Sequence, residues 1–456
     1  MKFNLEYIFL ALILIFGLFI RVYGLDSAPL WVDEATSSMA AKEILEKGAP
    51  VFDSGLFYSR ALFFHYSQSF FLLFGINDFN ARIVSVIFGL ATIFLAFLIG
   101  REYSKTGGII SALFMSLFYL EVFFSRQARF YQLFQLMFFL SLYLLYKSRE
   151  NKKYLYWSFL TLLITIDTHI AGIVLTPFFI GFILLYHKPK WLAAIPGVML
   201  LWKLIDAYSV SARGSGESFI NAYFERYSSY LGNIHYMLIF FIPGLIWSYF
   251  KKKLLTLLLI IPSLILLVGL LTIQTFAFRY MYFFIFVLVL YSSLLISYLL
   301  EKYGKIFYIA LIALIVIPSN LFFPATGTII LEPISTNFHD ASAPYTNYKD
   351  LDLPENITLV SFFSSDVEWY LRKPDYVIPF SMDGVGYDQI SWNSSNGLVD
   401  RYSGALIFDY NLTNFYLTAD AFSVSKLKGY QRTEFNNLIS NCSIYYSARD
   451  LIVYRC

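Results

Sequence analysis

Apolar runs of about twenty residues recur along the first 323 residues, and this one feature decides most of what the chain can fold into. A helix needs roughly 17–25 apolar residues to cross a bilayer. In lipid the backbone must satisfy its own hydrogen bonds, so such runs are read as helices. Eleven spans are expected, near 7–23, 82–100, 107–124, 131–147, 154–170, 171–187, 191–206, 231–250, 254–273, 280–300 and 306–323. Composition agrees: 58% of residues are hydrophobic and 14% charged, against about 25% charged in soluble domains. A soluble enzyme, a disordered chain and a coiled coil are excluded. The fold class is a polytopic all-α transmembrane bundle. A net charge of +3 gives no reason to expect a nucleic-acid partner.

Basic residues in short loops set the orientation. Five loops, at 101–105, 147–153, 188–190, 251–253 and 302–305, hold thirteen Lys or Arg, with three acids in or beside them (Glu102, Glu150, Glu301). They are read as cytoplasmic, which puts the N-terminus inside and the C-terminus outside. The stretch Ala61 to Ile76 would invert every later loop if it were a span. It is short and carries His65, Ser67, Gln68 and Ser69, so it is read as a helix on the outer surface. The first span has no small-x-small cleavage site and ends at Arg21, so it is read as an anchor.

Two domains follow: a transmembrane module over 1–323, with a first outer loop near 24–81, and an extracytoplasmic α/β domain over 324–456. In the second, acids outnumber Lys plus Arg by fifteen to nine. Short β-rich runs at 357–363, 376–380, 405–410 and 451–454 alternate with Gly, Asn and Ser. Four N-x-Ser/Thr sequons, at Asn356, Asn393, Asn411 and Asn441, fall in this segment. They agree with an outer location and point to an archaeal plasma membrane or a eukaryotic lumen. Cys442 and Cys456, the only cysteines, can close a small disulfide loop on an oxidising side. Two cysteines cannot build a four-ligand zinc site.

The chemistry concentrates at the outer face. Asp33 and Glu34 are adjacent carboxylates just beyond the first span, costly there unless solvated or used. Asp33 is either the N-cap of a helix over 34–47 or a general base that takes a proton from an incoming hydroxyl. Arg60, Arg82, Arg126, Arg129, Arg213, Arg226 and Arg279 lie near the outer ends of spans, where the positive-inside rule expects few. Snorkelling to headgroups explains one or two of them; a set of this size suits a phosphate or pyrophosphate ligand. Asp167 and His169 make an incomplete metal site and are read as cavity lining. No metal site is assigned, and no cofactor is implied.

These stretches resemble the GT-C fold glycosyltransferases of the protein O-mannosyltransferase and aminoarabinose-transferase type. The resemblance is carried by Trp31-Val32-Asp33-Glu34, Arg60-Ala61-Leu62, Phe74 to Arg82, Ser125 to Tyr131, and Phe278-Arg279-Tyr280, in that order. It covers residues 7–200 well and the rest loosely. It implies Asp33 as catalytic base with Glu34 beside it, and Arg60 on the donor phosphate. Arg82, Arg126, Arg129 and Arg279 join Arg60 in that expectation, and Tyr131 and Tyr280 line the cavity. The family usually has Pro after the basic residue where this chain has Ala61, and an acid near the position of Tyr131, so a divalent-metal role is weak. No Trp-Trp pair is present, which argues against en bloc glycan transfer to Asn.

The resemblance implies a polyprenyl (dolichyl) phosphate sugar as donor. The acceptor is a hydroxyl on a glycan, protein or lipid at the extracytoplasmic face, and transfer inverts the anomeric carbon. Two rivals stand beside it: a secondary transporter, disfavoured because the ionisable residues sit at span ends and not deep in spans (Glu121 excepted), and a non-catalytic receptor or assembly subunit.

Overall fold

In the computed structural model, the described residues are 5–211, 235–270, 282–304, 348–349, 351–362, 364–378, 390–394, 397–408, 412–420, 423–424, 427, 429–448 and 451–456. The chain divides into two compact units, Met1–Gly24 with Ser85–Ile334, and Leu25–Val84 with Ser335–Cys456. The division differs from the linear one expected at residue 323: the first outer loop groups with the C-terminal segment.

The first unit is helical. It comprises α1 (Leu5–Val22), the body of α4 (Asp78–Tyr103), α5 (Lys105–Leu117), α6 (Tyr119–Ser125), α7 (Tyr131–Lys147), α8 (Lys153–Thr168), α9 (Thr176–Tyr186), α10 (Ala194–Ser211), α11 (His235–Lys251), α12 (Lys253–Leu270) and α13 (Tyr282–Tyr303). Three described helices are individually long and apolar enough to cross a membrane: α1, α4 and α13. The span expected at 107–124 is broken. Phe118 is extended (φ −61, ψ 125) and α5 and α6 meet at a bend of 62°. The break frees carbonyls at the end of α5. Arg21 of α1 answers them, its Nη1 donating to Ser116 O (3.0 Å) and its Nη2 to Met115 O (3.3 Å). Glu121, on α6, is buried but matched: it accepts from Gln135 Nε2 (2.8 Å) and Tyr282 Oη (2.5 Å). Helices α11 and α13 cross at Gly244, where a Cβ would lie 2.0 Å from Tyr291 O. Only glycine permits that approach. The span expected at 306–323 lies outside the described residues.

Among the described residues, the second unit contains α2 (Val32–Lys47), α3 (Leu62–Leu72), the first turn of α4, α14 (Ser364–Tyr370), α15 (Gly429–Ser440) and eight strands. The strands are β1 (Thr358–Ser361), β2 (Tyr376–Val377), β3 (Ile390–Ser394), β4 (Gly397–Asp400), β5 (Leu406–Ile407), β6 (Phe415–Asp420), β7 (Ser443–Ala448) and β8 (Leu451–Arg455). They form one sheet in the order β3-β4-β5-β2-β1-β6-β8-β7. The central β5-β2-β1-β6 are parallel and the flanking pairs antiparallel. Parallel strands want both faces covered, and Val360, Phe362, Ile378, Phe408, Phe415, Leu417 and Phe435 make the core on one side. Val32, from the first outer loop, packs against that core. Helix α3 exposes the aromatic side chains of Phe63, Tyr66 and Phe70, while His65, Gln68 and Ser69 are buried beside Phe64 and Leu72.

Cys442 and Cys456 are joined, with Cα atoms 4.3 Å apart and a sequence separation of 14. In the chain-entropy picture a loop of that size is worth about 3 kcal/mol. Replacing both cysteines by Ser is expected to lower the unfolding midpoint by roughly 5–10 °C, read by thermal denaturation of the full chain with and without reductant.

Candidate active site

The helix that carries Asp33 starts two residues earlier than the N-cap reading requires. Val32 is its first residue and Trp31 the flanking N-cap. Asp33 therefore sits inside the first turn and is not the cap, and it is half-buried. A carboxylate there is favoured by the positive end of the helix dipole. Glu34 supplies half of a capping box: its Oε2 accepts from Trp31 N (3.3 Å).

Glu34 and Arg82 form a buried, bidentate ion pair. Arg82 Nε donates to Glu34 Oε1 (2.9 Å) and Nη2 to Oε2 (2.8 Å); the two side chains are 0% and 1% exposed. The remaining donors of Arg82 reach the carbonyls of Leu25, Ala28 and Pro29 at 2.8–2.9 Å. A guanidinium has five N–H groups, and all five are used. Arg82 has none left for a phosphate, and Glu34 none of its oxygens open to a substrate. The pair ties residues 25–34 to the start of α4; the sequence expectation places Arg82 on the donor phosphate and Glu34 beside the catalytic base.

Arg126 is committed in the same way within the helical unit. It is buried, and its Nη1 donates to Ile20 O (2.9 Å) and Tyr23 O (2.7 Å), its Nη2 to Gly24 O (3.0 Å). It caps the C-terminal carbonyls of α1. The sequence expectation places it on the donor phosphate. Arg129 is buried, lies over the rings of Phe130 and Tyr131, and donates to Tyr131 Oη (3.3 Å). Tyr131 is buried beside Phe124. Asp167 and His169 are half-buried; His169 Nδ1 accepts from Ala171 N (3.1 Å) and its ring packs on Phe134. His169 thus starts the short 3₁₀ turn Ile170–Leu175.

Arg60 is the contrast. It is exposed, and no hydrogen bond or ion pair engages it among the described residues. It precedes Ala61, whose backbone is left-handed (φ 51, ψ 45) and which is fully buried at the start of α3. Proline, fixed near φ −65°, cannot adopt that conformation. A non-glycine residue held there stores about 1 kcal/mol or more.

The sheet segment reaches the Asp33 helix through residues the sequence did not single out. Tyr402 is flanked by Phe52; burial first, then Tyr58, and more weakly Asp33 and Asp400, push its phenol above the ordinary range, with Arg401 opposing. Tyr370, Trp369 and Lys349 converge on Asp78. The only sequence signal for these was an acid, Asp78, next to the start of an apolar helix. Arg279 and Tyr280, and also Arg213 and Arg226, lie outside the described residues. Asn356 and Asn441 are exposed, Asn393 lies on β3, and Asn411 is outside the described residues. Among the described residues no three of His, Cys, Asp and Glu converge as a metal-binding group would.

Residues 59–211, about a third of the chain, match the family model described as dolichyl-phosphate-mannose-protein mannosyltransferase. The matched range includes Arg60 and Arg82 and begins after Asp33. The structure is similar to that of ArnT from Cupriavidus metallidurans, solved in the apo state and bound to undecaprenyl phosphate (TM-score 0.63, 15% identity, 98% of this chain and 97% of that one). It is also similar to the Archaeoglobus fulgidus oligosaccharyltransferase tethered with an acceptor peptide (TM-score 0.55, 12% identity, 99% and 74%). None of the curated proteins matches. These likenesses show the GT-C fold, and with it an integral multi-pass membrane protein.

Proposed function

We propose that this GT-C fold protein is a membrane glycosyltransferase that moves a sugar from a polyprenyl phosphate to an acceptor hydroxyl, with inversion. One observation carries the reading: in the unit that holds the first outer loop, the half-buried carboxylate of Asp33 is anchored by the fully satisfied Glu34–Arg82 pair, while Arg60 is left as an exposed, uncommitted cation. The match to the mannosyltransferase family and the undecaprenyl-phosphate complex of ArnT support the donor class. Asp33 deprotonates the acceptor hydroxyl, whose oxygen attacks the anomeric carbon opposite the phosphate. The C–O bond to the phosphate breaks, and the charge left on it is met by arginine. Arg60 is assigned that contact; Glu34 and Arg82 are assigned to holding residues 25–34, and Arg126 to the end of α1.

The topology we propose has eleven spans, a cytoplasmic N-terminus and an extracytoplasmic C-terminal segment. The outward aromatic face of α3 suits the membrane interface, where such rings anchor. Sequons at exposed Asn356 and Asn441 agree with that side.

The test uses purified protein in liposomes with radiolabelled polyprenyl-phosphate sugars, mannose and glucose first, following donor consumption and release of polyprenyl phosphate. Transfer by the wild type supports the reading; no consumption across the panel overturns it in favour of a transporter or receptor. In the same assay Arg60→Ala is expected to raise the donor KM about tenfold or more, the loss of one charge-assisted contact, with Arg60→Lys intermediate. An unchanged donor KM would remove Arg60 from the phosphate.

A further inference from the structure

We propose that Tyr370 and Asp78 form a latch through which the C-terminal segment positions the Asp33 carboxylate for catalysis. The proposal rests on the reading of Asp33 as the base. Tyr370 Oη accepts from Leu30 N (2.5 Å) and donates to Asp78 Oδ2 (2.9 Å). Leu30 lies three residues before Asp33. Three residues after it, the hydroxyls of Thr36 and Ser365 are 3.1 Å apart. The backbone that carries Asp33 is therefore held by α14 on both sides, and Val32 between them packs on the sheet core.

Asp78 is the hub. It is 4% exposed and is the first residue of α4, where a negative charge is favoured. Its Oδ1 accepts from Trp369 Nε1 (2.9 Å), and its Oδ2 pairs with Lys349 Nζ (2.6 Å). Lys349 also donates to Asp26 O (2.8 Å). Burial, then the charge of Asp78, pushes the Tyr370 phenol above its ordinary range, so the hydroxyl keeps the proton it donates. A single phenol oxygen thus couples the Leu30 amide to a buried carboxylate more than forty residues away in sequence. Glue between segments would not need that connection. Placement of a general base does, since a shift of about 1 Å at the reacting groups can cost on the order of a hundredfold in rate.

The test is made on the full chain in liposomes. Tyr370→Phe keeps the ring and removes only the hydroxyl. The expected result is a kcat lowered about tenfold with the donor KM within twofold of wild type, and faster amide exchange at Leu30. Placed on Asp33→Asn, Tyr370→Phe is expected to cost nothing further, because its effect passes through the missing carboxylate. Asp78→Asn, which keeps the side-chain shape and removes the charge, gives the same pattern and serves if Tyr370→Phe does not fold. Losses that multiply in full on the Asp33→Asn background would overturn the latch and leave a structural contact. A wild-type kcat in Tyr370→Phe would overturn it while the glycosyltransferase reading stands. If the wild type transfers no sugar from any donor in the panel, the base reading falls and the catalytic role of the latch with it, whatever the exchange at Leu30.

Discussion

Asp33→Asn is expected to lower kcat for sugar transfer by about 10²–10⁴, the contribution of a positioned general base, while leaving the fold intact. Both halves follow from position. Asp33 lies in the first turn of α2 and is not its cap residue; Trp31 holds the cap position and Glu34 reaches back to its amide. Losing the charge removes a favourable dipole interaction of only about 0.3–1 kcal/mol, so the thermal midpoint is expected to move by no more than a few degrees. Asn fills nearly the same volume but cannot take the acceptor's proton. Donor binding does not require that proton transfer, so the donor KM is expected to hold. The measurement is single-turnover consumption of radiolabelled donor beside a thermal melt of the same preparation. A variant as active as wild type would move the base elsewhere. A variant that loses activity only in proportion to lost folded protein would return Asp33 to a structural role.

Much of the fold could be read from local signals. The apolar run at 131–147 coincides with α7, whose bounds are Tyr131–Lys147, because a long, mostly apolar run admits little but a helix. The β-rich runs at 357–363 and 451–454 overlap β1 and β8 for a similar reason: β-branched residues bounded by Gly, Asn and Ser are a local pattern. What stayed hidden depends on distant partners. The break at Phe118 leaves no proline or glycine in the sequence to announce it, and the carbonyls it frees are answered by Arg21, ninety-five residues from Ser116. The arginines illustrate the same limit. Arg60, Arg82 and Arg126 look alike as basic residues near span ends. Only the carbonyls of Leu25, Ala28 and Pro29 around one, and those of α1 around another, distinguish a spent guanidinium from an available one. The grouping of the first outer loop with the C-terminal segment is likewise invisible to any reading that moves along the chain, since Tyr370 and Leu30 are 340 residues apart.

The distinction between spent and available arginines gives the second large effect. Arg82→Met is expected to destabilise the protein by about 3–5 kcal/mol, because it strands the Glu34 carboxylate in a site with no exposure and leaves it an uncompensated buried charge. That is a large fraction of the 5–15 kcal/mol typical of a domain, so the variant is expected to show a sharply lowered midpoint and rapid proteolysis within 25–84. Glu34→Leu strands the guanidinium and is expected to cost a similar amount. The double variant, Glu34→Leu with Arg82→Met, buries no charge and is expected to lose less than the sum of the two, by at least about 1 kcal/mol. The carbonyls of Leu25, Ala28 and Pro29 remain unpaired in it, which keeps it below wild type. These outcomes separate the two roles open to Arg82. A phosphate-binding arginine replaced by Met would leave the midpoint near wild type and raise the donor KM, as expected for Arg60→Ala. A clamp replaced by Met lowers the midpoint first, and the surviving folded fraction binds donor normally. With all five N–H groups of Arg82 already donated, the second result is the one expected.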